Sequence, residues 1–375
     1  MELAELIGLR PVPGAGLLLS LTRRCPLSCA HCSTASGMST RDEPDPGQLR
    51  RFVASFTPET RPDVVMLTGG EPLLLPELAA ELGALARTAG SRTALLSGMF
   101  FARQRTVPDR ILRAITSVDH FSASLDAHHE REIDRADVFR AVRQVRDAGV
   151  PVSFHLAGTG PDDPYLADVT ADIRREFDGR VPSLVNEVRA FGRAASWAGP
   201  TRPPPDAERA LPCSMAAWPV VAFDGTVLAC CNQDTVDRRP APAHLRLGHI
   251  ADDTWPEIRE RTLMSPLLRM IRTVGPSHLY ARHAPDVPAD GYCAGCRALG
   301  GHPRITAAVE AVADGPAGVL LDLTAARAQV EQGPVALVRR HGCAPYADLL
   351  TPRGPAGPRT AGRADALLPA PGEGR

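Results

Sequence analysis

The chain has 375 residues, 44% of them hydrophobic, and a formal net charge of -1 at pH 7. That is enough for one full α/β domain and a smaller companion, and the 42 basic residues lie scattered along the chain, which argues against nucleic-acid or anionic-membrane binding. No stretch approaches the ~20 apolar residues of a membrane span, and Met1-Glu2-Leu3 lacks the shape of a signal peptide, so a cytoplasmic protein is expected. Every basic residue is arginine, which leaves no lysine for Schiff-base chemistry. Nine cysteines, several at metal-ligand spacings, fit a reducing compartment better than a disulfide framework.

In chain order, the compact apolar run 17–21 predicts a first buried strand that ends at a loop carrying Cys25-x3-Cys29-x2-Cys32. Three soft thiolates on one loop suit iron-sulfur or zinc, and a run that stops at three leaves one iron of a cubane cluster open. A zinc loop borrowing His31 as fourth ligand is the competing reading. A helix over 46–56 and a strand over 64–68 follow, the strand running into Gly69-Gly70-Glu71-Pro72. The glycines there allow close backbone approach, and Glu71 with the carbonyls beside it can accept from a cationic amine.

The alternation continues with a helical stripe at Leu78, Leu82 and Leu85, a strand over 93–97 and a helix over 108–115. A strand over 121–126 comes next, then a helix marked by Val138, Val142 and Val145 that stops at Gly149. A strand over 151–157, a helix over 165–177 and a strand over 184–191 complete six βα units, which implies a parallel sheet. Pro-rich residues 199–205 mark a boundary. Beyond it Asp224-Gly225 reads as the turn of a hairpin between Cys213 and Cys230, and Cys293-x2-Cys296 arrives later. These four cysteines can close a tetrahedral site for zinc or for a cluster. Cys231 is expected to point away on a strand, and Cys343 to be another buried spectator. Residues 303–345 contain helical stretches, and 352–375 read as a disordered tail.

The three-cysteine loop resembles the cluster loop of radical S-adenosylmethionine (radical SAM) enzymes, with His31 in the place of the ring residue before the last cysteine. Gly69-Gly70-Glu71-Pro72 is similar to the family's GGEP motif. The resemblance implies a six-stranded partial (β/α)6 TIM-like barrel over residues 1–198. It implies a four-iron, four-sulfur cluster on Cys25, Cys29 and Cys32, and S-adenosylmethionine held near His31, Gly69, Gly70, Glu71 and Pro72. Ser97, Ser124, Asp126 and the Gly192-Arg193-Ala194 ending are further cofactor contacts on the same ground. Reductive cleavage of the cofactor to a 5'-deoxyadenosyl radical and abstraction of a substrate hydrogen would follow, with a flavodoxin- or ferredoxin-type electron donor.

Cys213-x11-Gly225-x4-Cys230 with Cys293-x2-Cys296 resembles the SPASM/twitch auxiliary-cluster domain. A small hairpin/α domain over 213–300, after a 199–212 linker and before a 301–351 helical extension, would then hold one auxiliary four-iron cluster. The resemblance covers about residues 15–300 and leaves the substrate open. Oxidation or crosslinking of a ribosomally made peptide stands beside dehydrogenation or epimerisation of a small antibiotic-pathway molecule, and beside a non-catalytic iron-sulfur or zinc scaffold.

Overall fold

The computed structural model describes residues 1–199, 210–287 and 291–352. Most of the expected linker and all but the first residue of the expected tail lie outside the described residues. Six parallel strands, β1 (Gly16–Ser20), β2 (Val64–Thr68), β3 (Arg92–Ser97), β4 (His120–Ser124), β5 (Val152–Gly158) and β6 (Ser183–Glu187), lie side by side in chain order. Helices α1 (Leu3–Gly8), α2 (Pro46–Ala54), α3 (Pro76–Thr88), α4 (Asp109–Thr116), α5 (Arg135–Asp147) and α6 (Pro164–Glu176) precede β1 or join the strands. Proline opens α2, α3 and α6, where its missing N–H costs nothing, and Asp45 and Asp163 cap α2 and α6 through their carboxylates. The sixth strand stops at Glu187 rather than running on to Phe191. Its neighbour β5 ends at Gly158, whose carbonyl takes the last contact from Val188 N–H, so the ladder has no partner beyond it.

Register sorts the strand side chains onto two faces, because alternate residues point to opposite sides. Leu17, Leu19, Val65, Leu67, Leu95, Phe121, Phe154 and Val185 share the face that packs on the helices. The other face is apolar at one end, where Leu18, Met66, Ala94 and Leu184 pack with Leu3, Leu6 and Trp218. Toward the C-terminal strand ends it becomes polar and partly accessible, with Ser124, His155 and Asn186.

The hairpin expected of a separate small domain is instead continuous with this sheet. β7 (Val220–Val221) pairs parallel with β1, and β8 (Thr226–Leu228) turns back on it through Asp224-Gly225, where Gly225 has a φ of 85°. β9 (Arg246–His249) completes a nine-stranded order β6-β5-β4-β3-β2-β1-β7-β8-β9. Helices α7 (Gln233–Val236), α8 (Trp255–Met264), α9 (Pro266–Thr273), α10 (Pro276–His283) and α11 (Tyr292–Ala298) complete this half. Trp255 meets the rings of Phe52 and Phe56 on and beside α2, at 6.4 and 5.7 Å, and its indole N–H donates to the Thr60 carbonyl, so the two halves share one core.

The C-terminal helices α12 (Pro303–Ala313) and α13 (Gly315–His341) fold back over both halves. Arg272 on α9 and Asp322 on α13 form a buried ion pair at 2.6 Å. Cys343 donates its backbone N–H to Val185 of β6, so the chain after α13 covers the outer edge of that strand. Its thiol is buried, as expected of a spectator.

Candidate functional site

The chain leaves β1 into the three-cysteine loop, and that loop is held mainly by backbone. Gly70 N–H donates to Thr22 and Glu71 N–H to Arg24, which fixes the Gly-Gly-Glu-Pro turn at the end of β2 against the start of the loop. A β-carbon on Gly70 would sit 2.4 Å from the Arg24 carbonyl, so only glycine permits this approach. On the far side Gly192, with φ 54°, lies so close that a β-carbon would fall 2.4 Å from the Cys32 carbonyl. Arg193 then grips the loop: its backbone N–H donates to Cys32, its Nε to the Cys29 carbonyl at 2.9 Å, and its Nη1 to Ser36. The Trp197 indole adds a donor to the Ala30 carbonyl at 3.0 Å. The Arg193 side chain thus braces the cysteine loop.

The Glu71 carboxylate is fully buried and accepts from Leu73 N–H, Gly98 N–H and the Ser97 hydroxyl at 2.9 to 3.0 Å. Burial pushes its pKa up to about 7, against the pull of those donors. Ser97 is spent on the same bond, because it lies on the helix-facing side of β3, opposite the face that carries Ser124. The pair ties the ends of β2 and β3 together, and Pro72 opens the short 3-10 turn that completes the corner.

Beside the loop stands a polar cluster of which sequence reading found only two members. Asp126 accepts from His129 Nδ1 at 2.8 Å and lies 3.1 Å from His31 Nε2. Burial would raise the Asp126 pKa, but His129 and His31 overcome it and hold the carboxyl well below its usual range. Burial lowers the His129 pKa, and Asp126 outweighs it to leave the imidazole at about 10. His128 stacks on His31 at 4.7 Å and Trp197 lies against His128 at 5.3 Å, while His31 Nδ1 and His128 Nδ1 are buried without partners among the described residues. Nearby His155 accepts from the Asn186 amide at 2.9 Å, and burial lowers its pKa to about 4. The adjacent His128-His129 after a strand-end aspartate was a readable signal. Trp197 gave none.

The thiols test which metal fits. A tetrahedral zinc with bonds near 2.3 Å draws its sulfurs to about 3.8 Å of one another. Among the described residues, the one trio of His, Cys or carboxylate ligand atoms within 4.8 Å of one another is His31, Asp126 and His129, and no three thiols are so close. At the first set of thiols, Leu27 N–H points at Cys25 Sγ at 3.4 Å, and burial pushes the Cys25 thiol up to about 12. At the second, Cys213, Cys230, Cys293 and Cys296 repel one another, and burial raises all four thiols. Cys231 packs against the separate cluster of Val220, Ala222, Leu228 and Val236, with its thiol 3.7 Å from Met215 Sδ.

Residues 19–173 match the Radical SAM superfamily. A four-iron cluster and S-adenosylmethionine are the cofactors this match implies. Among curated relatives, the PqqA peptide cyclase of Xanthomonas campestris pv. campestris strain B100 is 29% identical over 187 residues, which are 48% of this chain and 45% of that protein. The PqqA peptide cyclase of Gluconobacter oxydans strain 621H is 26% identical over 202 residues, 48% of each chain. The chain thus spans about half the length of the curated relatives it matches. Among solved structures, Streptococcus suis SuiB bound to S-adenosylmethionine superposes with a TM-score of 0.51 at 11% identity, covering 76% of this chain and 77% of that one, which is a likeness of fold. No helix among the described residues is long and apolar enough to cross a membrane.

Proposed function

We propose that this protein is a peptide maturase: a radical SAM oxidoreductase that oxidises or crosslinks a ribosomally made peptide. The observation that carries the substrate class is the match to PqqA peptide cyclases across half the chain. In this reading the six parallel strands form the family's partial barrel over residues 1–198, and residues 213–300 are the twitch-type domain holding an auxiliary four-iron cluster. Cys25, Cys29 and Cys32 would hold the first cluster and Cys213, Cys230, Cys293 and Cys296 the second. Bound at the first loop, the cluster and S-adenosylmethionine supply a carbon radical able to take a hydrogen atom from an unactivated position.

The chain's own groups set the stage for that chemistry. Arg193 and Trp197 fix the loop carbonyls, so the three sulfurs are presented by a braced backbone. The polar end of the sheet, with Ser124, His155 and Asn186, faces the same side as Asp126 and His31, where cofactor and peptide would meet. His155 is held neutral by its burial, and its Nδ1 has no partner among the described residues, so it is available to hydrogen-bond a substrate carbonyl. An electron donor of the flavodoxin or ferredoxin class would serve from outside.

The test is anaerobic reconstitution with iron and sulfide, reduction with dithionite, and mass spectrometry of a short peptide encoded beside the gene. Formation of 5'-deoxyadenosine together with a peptide lighter by two hydrogens is expected. Deoxyadenosine without any change in the peptide would overturn the substrate reading, and its absence would overturn the enzyme reading.

A further inference from the structure

Residues three and four apart share one side of a helix, so α11 presents two faces at the second thiol site. Cys293 and Cys296 occupy one face, and Ala294, Arg297 and Ala298 occupy the next, about 120° round the axis. That second face lines a cleft of about 410 Å³ together with Arg238, Pro240 and Pro242. Arg238, Pro240 and Ala298 are exposed, so the cleft opens to solvent. A group seated in it is one helix width, roughly 10 Å, from the two sulfurs. The alanines keep that path short, because nothing longer than a methyl group stands on the helix at 294 and 298.

The cleft is also basic. Arg297 Nη1 is buried without a hydrogen-bond partner among the described residues, and the Asp234 carboxylate stands 3.9 Å away, beyond hydrogen-bond reach. Arg238 adds a second guanidinium at the mouth and makes no ion pair among the described residues. The neighbouring charges are already matched, Arg239 with Asp224 at 2.6 Å and Asp237 with Arg23 at 2.8 Å. A buried donor left open is costly, and a carboxylate entering the cleft would satisfy it with a charge-assisted bond. Two cations over a small apolar floor are too little for a permanent interface, yet they suit the small, charge-steered encounters of electron-carrier proteins.

We propose that this cleft is the docking site of an acidic one-electron carrier protein, which takes from the second cluster the electron that the substrate radical has given to it. This rests on the auxiliary-cluster reading above. The substrate radical loses one electron to the cluster and one proton to solvent and leaves as the oxidised product. The cluster then loses that electron, and the carrier gains it.

The probe is oxidised flavodoxin, an acidic carrier whose flavin turns to a coloured semiquinone on gaining one electron. It is mixed by stopped flow with the full-length C25A/C29A/C32A chain, reconstituted, reduced and freed of dithionite, so that the second cluster alone supplies electrons. At ~20 mM salt, adding R238E should slow semiquinone formation about threefold and R238E/R297E about tenfold, and at ~0.5 M salt both differences should shrink below about twofold. R175E, on the exposed side of α6, makes the same change of net charge as R238E and sets the baseline. If the R238E/R297E chain loads less iron, R238E alone decides against that baseline. No semiquinone from the parent chain, arginine variants as fast as R175E, or a slowing that persists at high salt overturns the proposal. Variants as fast as R175E that raise the KM for the peptide give the cleft to the peptide instead. Iron is counted separately: a wild type that holds only about four irons, unchanged in C293A/C296A, overturns the auxiliary-cluster reading and the proposal with it.

Discussion

In the first thiol site, residues 25 to 32 carry all three sulfurs, and the loop is braced by carbonyl contacts to Arg193, Trp197 and the Gly-Gly-Glu-Pro turn, none of which needs a metal. The second would gather its sulfurs from Cys213 before a hairpin, Cys230 after it, and Cys293 and Cys296 on α11. One site is preformed by local backbone, while the other is closed across a long stretch of chain held by three short strands. Bringing distant segments together costs loop-closure entropy that a bound cluster would offset, so metal and folding are coupled more tightly at the second site than at the first.

The comparison is tested most strongly by removing metal ligands from each site. C293A/C296A should lose about half the iron and lower the melting temperature by roughly 10 °C, with new proteolytic cuts between residues 210 and 300. C25A/C29A/C32A should lose a similar amount of iron while melting within about 3 °C of wild type and abolishing cofactor cleavage. Equal thermal losses would remove the contrast.

Next in size is the brace. Arg193→Ala deletes charge-assisted bonds to two loop carbonyls, worth about 2 kcal/mol together after solvent competition, so first-site iron loading should become about tenfold weaker while second-site iron stays. Lysine should restore little, since it cannot span both carbonyls in a fork. Site-resolved electron paramagnetic resonance after reduction reads this directly, and loss at both sites would show that Arg193 supports the whole fold.

Glu71→Gln is a smaller perturbation. The amide keeps one acceptor but opposes an N–H to Gly98 or Leu73, costing about 1 to 3 kcal/mol of stability. Thermal melting should fall and first-site loading weaken, with S-adenosylmethionine affinity per loaded site unchanged. A selective loss of cofactor affinity would return the carboxylate to the cofactor pocket.

The smallest effect is a pH dependence far from both sites. His120 is buried between the Met1 carbonyl and Ser153 at 2.9 and 2.8 Å, and burial lowers its pKa to about 4. The folded pKa lies below the unfolded value of about 6.5, so the stability from neutral His120 is full above pH ~6.5 and is lost as pH falls toward 4. His120→Asn should flatten that part of the melting curve by a few °C without changing iron content.

Much of the fold was legible because the signals were local. Apolar runs bounded by glycine and proline marked the six strands. What escaped depended on which face of a strand a residue occupies or on contacts between distant segments. Ser97 and Ser124 look alike at strand ends, yet register sends them to opposite faces. Arg193 stands 157 to 164 residues from the carbonyls it binds, and no periodicity reports such a bond.

The pairing of β7 with β1 has a consequence for how the chain can be divided. A fragment ending near residue 199 would keep all six parallel strands but expose the backbone donors and acceptors of β1, an invitation to edge-to-edge aggregation. It would also uncover Gly16, whose position beneath the Trp218 ring is so close that a β-carbon there would lie 2.0 Å from it. Nicking the chain between residues 199 and 210 should instead leave two pieces that stay together through a shared sheet and eluting as one species. The second half is thus a seal on the first, and the two have to be inherited, expressed and purified as one body.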